Sequence, residues 1–212
     1  MKMKQTILVW DVPTRLFHWL LVICFAGAWL SSESERLQMI HYAFGYSAAA
    51  LVLFRLVWGL VGTKYARFTQ FIRGPKEIIG HLGAALRGHQ HESPGHNPAG
   101  GIVMLGLMMI ILLIAFTGYL SVKEFLGDFM SEAHEAIASL ALALVVIHIA
   151  AAVIMSLLQK ENLIRAMVTG KKNGLPEQAI QFPQYFIGLL LLLAWGYCFY
   201  MIYSGALPSL TQ

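Results

Sequence analysis

Read for apolar and polar positions alone, the chain is a series of long hydrophobic runs separated by polar connections. The runs cover residues 16–30, 39–62, 100–122, 133–158 and 185–207. Each is close to the ~20 residues that cross a hydrocarbon core as a helix. The first run is short, and Asp11 is placed to cap a helix that begins near Val12. Gly95-His96-Asn97-Pro98 opens the third run with a cap residue and a proline suited to a first helical turn. The pattern predicts an all-α integral membrane protein with five transmembrane helices.

Composition supports this reading and removes others. Of 212 residues, 58% are apolar and 12% charged, against roughly 45–50% and about 25% in soluble domains. A soluble chain with so little charge could not cover its surface, and a disordered one would not be so rich in Leu, Ile, Val and Phe. The formal charge of +4 reads as membrane topology rather than nucleic-acid binding. Cys24 and Cys198 lie in apolar runs and are poor disulfide candidates, and no Cys-x-x-Cys-His motif for covalent haem is present. Lys2, Lys4 and the run after Arg15 imitate a signal peptide, but no clean small-x-small site follows, so the run is read as a retained helix.

The basic residues fix the expected orientation. Twelve fall in the N-terminus (Lys2, Lys4, Arg15), the 63–99 connection (Lys64, Arg67, Arg73, Lys76, Arg87) and the connection after the fourth run (Lys160, Arg165, Lys171, Lys172). The other two connections hold only Arg36 and Lys123, beside Glu33, Glu35, Glu124, Asp128 and Glu132. The positive-inside rule then puts the N-terminus in the cytoplasm and the C-terminus outside.

Ionisable residues inside spans are costly and usually functional. His18, His41, His134 and His148 lie in spans or at their edges. His134 and His148 are 14 residues apart on one helix, so they share a face to within about 40° and differ in depth by about 21 Å. His18 matches the depth of His148, and His41 that of His134. Two facing pairs of imidazoles suit two metal centres with axial ligands from neighbouring helices. Ala138 and Ala141 on the fourth helix, and Gly45, Ala48 and Ala49 after His41, leave room for a flat macrocycle or for close helix packing.

Arg55 lies 14 residues from His41 on the same face, at the cytoplasmic depth. It needs an anion, such as a haem propionate, or else must snorkel to the headgroups. Arg15, on the face of His18, is a second propionate candidate. His81, His89 and His91, in a polar connection, fit no compact ligand pattern. His96 and Asn97 open the third helix at the membrane surface, where Asn97 can cap it and the pair can contact a quinone head group.

These residues resemble those of the bacterial cytochrome b561 family and, equally, the dihaem cytochrome b subunits of membrane-bound nickel–iron hydrogenases. The resemblance rests on Arg15-Leu16-Phe17-His18-Trp19, His41 with Gly45-Tyr46, Arg55-Leu56-Val57-Trp58-Gly59, Gly62-Thr63 with Tyr65-Ala66-Arg67-Phe68, Gly95-His96-Asn97-Pro98 and the His134/His148 pair. It covers residues 7–175. It implies two non-covalent, bis-histidine haem b groups and quinone chemistry near the cytoplasmic one. The expected organisation is a four-helix dihaem domain over 1–175 and an additional C-terminal transmembrane helix over 176–212, which carries no histidine.

The resulting expectation is a membrane cytochrome passing electrons between the quinone pool and a periplasmic c-type cytochrome or hydrogenase. A superoxide oxidase-like quinone reductase would need a cation beside the outer haem, for which Lys123 and Arg36 are the candidates. A histidine-dependent proton or metal transporter without haem would show acidic residues within the spans and repeat symmetry, and the sequence has neither.

Overall fold

The computed structural model describes residues 5–70, 94–95 and 98–210. Five helices in it are long and apolar enough to cross a membrane: α1 (Val12–Ser31), α2 (Gln38–Val61), α3 (Pro98–Val122), α4 (Asp128–Gln159) and α6 (Tyr185–Tyr203). The short helix α5 (Leu163–Thr169) and strands β1 (Gln5–Leu8) and β2 (Lys171–Gly174) lie outside the spans. α1 begins where the sequence suggests: Asp11 Oδ1 accepts the Thr14 amide at 2.8 Å, and a proline occupies the first turn. α4 starts earlier than its apolar run, at Asp128, whose carboxylate complements the positive end of the helix dipole. A hydropathy pattern misses such polar first turns because they lie beyond the hydrocarbon.

The helices form two hairpins and an extra member. α1 packs along α2, α3 packs along α4, and α6 lies against both α1 and α2. The core is built from Phe17, Leu20, Cys24, Ala48, Leu51, Val52, Met108, Ile111 and Leu191. α6 is locked in at both levels: a Cβ on Gly188 would come within 2.5 Å of Val12, and Trp195 Nε1 donates to Cys24 Sγ at 3.2 Å. The fifth span therefore seals the α1–α2 layer. α4 is different. Of its 32 residues only Ala141 is buried, and its extensive contact is with α3 rather than with α1 or α2.

The topology gathers charge of opposite sign at the two ends of the bundle. One end, termed basic here, carries Arg15, Lys64, Arg67, Lys160, Arg165, Lys171 and Lys172. The other, acidic, carries Glu33, Glu35, Glu124, Asp128, Glu132 and Glu135 with Arg36 and Lys123.

The basic end also has a polar cap that the hydrophobic pattern does not foretell. β1 and β2 pair antiparallel, with Gln5 opposite Gly174 and Leu8 opposite Lys171. Ile7, Val9, Trp10, Tyr65, Ala166 and Ile180 form a second small core beneath them. Trp19 Nε1 donates to the Met167 carbonyl at 3.1 Å, and Tyr65 donates to the Gln178 carbonyl at 2.8 Å. The connection after the fourth span is thus folded onto α1 rather than running free.

Candidate functional site

At the acidic end, His41 near the start of α2 and His134 near the start of α4 face each other with ring centroids 6.0 Å apart and planes at 75°. Each ring is held from behind. His41 Nδ1 lies 2.8 Å from the Ala28 carbonyl of α1, and His134 Nδ1 lies 2.9 Å from the Ile114 carbonyl of α3. A carbonyl only accepts, so both Nδ1 atoms carry the proton and both Nε2 lone pairs are left for a metal. Thr117 Oγ1, 3.5 Å from His134 Nδ1, donates to the Leu113 and Ile114 carbonyls. Gly118 makes the close approach possible, since a Cβ there would stand 3.0 Å from the His134 ring. One turn beyond His41, a Cβ on Gly45 would meet nothing within 4 Å.

His18 and His148 occupy the corresponding level towards the basic end, within electrostatic reach of each other. His18 Nδ1 is buried and has no hydrogen-bond partner among the described residues. Among the described residues, no hydrogen bond fixes the His148 ring. Order here comes from the surroundings instead. Arg55 is fully buried, so it does not snorkel; its Nη2 donates to the Ala66 carbonyl at 2.9 Å and its guanidinium lies 5.1 Å over the Phe68 ring. Arg55 Nε and Nη1 are buried and have no partner among the described residues. Buried donors left unpaired on a cation are expensive, and they mark a place for an anion.

The sequence offered no carboxylate near Arg55, yet the fold supplies one. Asp11, 44 positions earlier in the chain, is buried and within electrostatic reach of it. Asp11 Oδ2 also accepts from Trp58 Nε1 at 3.0 Å and Thr63 Oγ1 at 2.6 Å. This carboxylate joins the start of α1 to the end of α2, and with it the 63–68 segment that packs on Arg55. Arg15 has a different setting from the one expected: Nη1 donates to the Val168 carbonyl at 2.7 Å and Nε to the Asp11 carbonyl at 3.4 Å. It therefore clamps α5 to α1. His96 and Asn97 lie outside the described residues, as do His81, His89 and His91.

The donor sets fit an iron macrocycle. Among the described residues no three or more metal-ligating side chains converge. The sites are pairs, as an iron already held equatorially by a porphyrin requires. A metal–imidazole bond of roughly 2 Å on each side, plus about 1 Å to each ring centre, gives about 6 Å between centroids. The acidic-end pair has that spacing. The sparse burial of α4, the open space at Gly45 and the orphaned Arg55 nitrogens agree with a flat, anionic group between α4 and the α1–α2 hairpin.

A family model described as prokaryotic cytochrome b561 matches residues 9–170. The chain belongs to that family. The matched segment of this cytochrome b561 contains all four span histidines, Asp11 and Arg55, and excludes α6. The chain is 26% identical over 143 residues to a probable Ni/Fe-hydrogenase 1 B-type cytochrome subunit of Escherichia coli (strain K12), covering 55% of this chain and 60% of that relative. It is 22% identical over 214 residues to a probable Ni/Fe-hydrogenase B-type cytochrome subunit of Rhizobium leguminosarum bv. viciae, covering 80% of this chain and 90% of that one. The chain thus spans less than two thirds of the Escherichia coli relative's length. No solved structure matches it.

Proposed function

We propose that this cytochrome carries electrons through the membrane between the quinone pool and a periplasmic redox partner, using two haem b groups. His41 and His134 ligate one, and His18 and His148 the other. The observation that carries the reading is the pair of imidazoles 6.0 Å apart, each with Nδ1 tied to a carbonyl of a third or fourth helix. When bound, haem iron supplies one-electron chemistry between its ferric and ferrous forms.

The chain's own residues do the rest. α1, α2 and α4 supply ligands. Carbonyls of α1 and α3 hold the two acidic-end tautomers. Arg55 offers Nε and Nη1 to a propionate of the basic-end haem with its charge already buried. Residues 1–175 form the dihaem unit, and 176–212 add the helix that covers α1 and α2.

With the basic end in the cytoplasm and the C-terminus outside, the quinone head group binds at His96 and Asn97, beside the basic-end haem. The acidic end then faces the periplasm. Its relatives' names favour a hydrogenase as the partner there over a c-type cytochrome. An anionic small molecule such as superoxide is disfavoured, because the open cleft beside His41 is lined by Glu33 and Glu35 and by neither Arg36 nor Lys123.

Haem quantitation in alanine variants tests the proposal. His134→Ala and His148→Ala should each leave one haem per chain, and the double variant none. A double variant with full haem content contradicts it.

A further inference from the structure

We propose that the groove between α2 and α6 is a binding site for an anionic phospholipid, with one acyl chain seated in the groove and the phosphate at the basic end. α6 lies outside the segment matched to the family, so this groove depends on a helix beyond that segment.

The groove holds about 310 Å³. That is the lower end of the ~300–1,000 Å³ of ligand pockets, and it suits one chain rather than a whole lipid. Its floor is the buried Ser47, Leu51 and Leu191, and its rim is the exposed Ala50, Leu190 and Ala194. The two alanines leave an opening that larger side chains would close. Phe54 forms one wall and is stacked on Trp58, with ring centroids 6.1 Å apart and planes at 12°. Trp58 is fixed in turn by its bond to Asp11. Trp195 forms another wall, its indole tied to Cys24. The groove is therefore preformed.

Direction and length select the occupant. Along α6 the lining runs from Ile187 to Cys198, 11 residues apart and so about 16 Å. Half of a ~30 Å hydrocarbon core is about 15 Å. Ile187 stands just inside the basic end of α6, so the groove covers the depth of that leaflet and little more. No charged side chain lines it. A linear apolar chain hanging from the headgroup region matches such a space.

Charge selects the headgroup. Lys64 and Arg67, which follow α2, and Lys171, which precedes α6, are exposed at that end. Of the carboxylates there, Asp11 is buried and Glu161 is paired with Lys172 at 3.2 Å. The exposed charge is mainly positive, and cations beside a span attract anionic phospholipids.

The test is native mass spectrometry of the purified holoprotein, stripped of lipid and then titrated with dioleoyl phosphatidylglycerol. Dioleoyl phosphatidylcholine, with the same chains and a zwitterionic head, is the comparison. The wild type should hold a single tight phosphatidylglycerol and bind phosphatidylcholine more weakly. Lys64→Gln should weaken phosphatidylglycerol binding about fivefold and leave phosphatidylcholine unchanged. Ala194→Phe and, independently from the facing helix, Ala50→Phe should block both lipids while haem content stays at the wild-type value. Wild-type lipid binding in a folded Phe variant overturns the site, and equal binding of the two lipids overturns the headgroup assignment. A quinone retained by the wild type and lost in the Phe variants overturns the choice of occupant.

Discussion

At the acidic end the two imidazoles are tied to carbonyls of α1 and α3, and Gly118 is trimmed to admit the His134 ring. At the basic end no hydrogen bond ties either imidazole among the described residues, and order resides one layer out, in Asp11, Trp58, Thr63, Arg55 and Phe68. The first site is organised by direct contact with its ligands. The second is organised by the frame around them. A ligand held directly keeps its tautomer without help from the metal, whereas a framed one depends on the frame's integrity. Damage to the frame should therefore be felt more widely than damage to a single ligand's support.

The largest effect is expected from Asp11→Ala. It leaves the Thr14 amide, Trp58 indole and Thr63 hydroxyl without their acceptor, at ~1–3 kcal/mol for each buried donor left unpaired. Thermal unfolding should shift by about 3 kcal/mol or more on that scale, with the basic-end haem lost first. Stability within 1 kcal/mol of wild type, on the same roughly estimated scale, would mean that Asp11 frames nothing. Gly118→Val comes next. Its side chain would occupy the His134 ring's place, so haem content should fall by half while the basic-end haem remains. Loss of both haems, or of neither, breaks the claim that the two sites are built independently.

Arg15→Gln should do less. It removes the bonds to the Val168 and Asp11 carbonyls, a cost of about 1 kcal/mol, and should loosen α5 without changing haem content or either potential. A shifted basic-end potential would return Arg15 to the role of propionate contact. Asn97→Asp should change the least, exchanging an amide for a carboxylate of the same shape at the proposed quinone site. It should slow quinone-linked oxidation or reduction of the basic-end haem while both haems stay bound. Exchange with quinone at the wild-type rate would place the quinone elsewhere.

How much of this was legible in the chain follows from range. The five spans are local hydrophobic patterns, and Asp11 ahead of Val12 is a local start signal, so both could be read directly. The juxtaposition of His41 with His134 was legible from depth, because helices crossing one bilayer share a ruler. Three features were not. β1 and β2 are four residues each and far apart in sequence, and Lys171–Gly174 has no strand-like alternation. The carboxylate beside Arg55 is absent from its neighbouring sequence and comes instead from the start of α1. The seat of α6 depends on Gly188 meeting Val12 and Leu16, a complementarity that hydropathy does not encode.

The central claim is that two imidazole pairs hold two haems, and the haem-to-protein ratio of the purified wild-type cytochrome, read together with its electron paramagnetic resonance, tests it most directly. The account predicts two haem b per chain, both low-spin with two nitrogen axial ligands. One haem per chain, or a high-spin iron lacking its second imidazole, would contradict it.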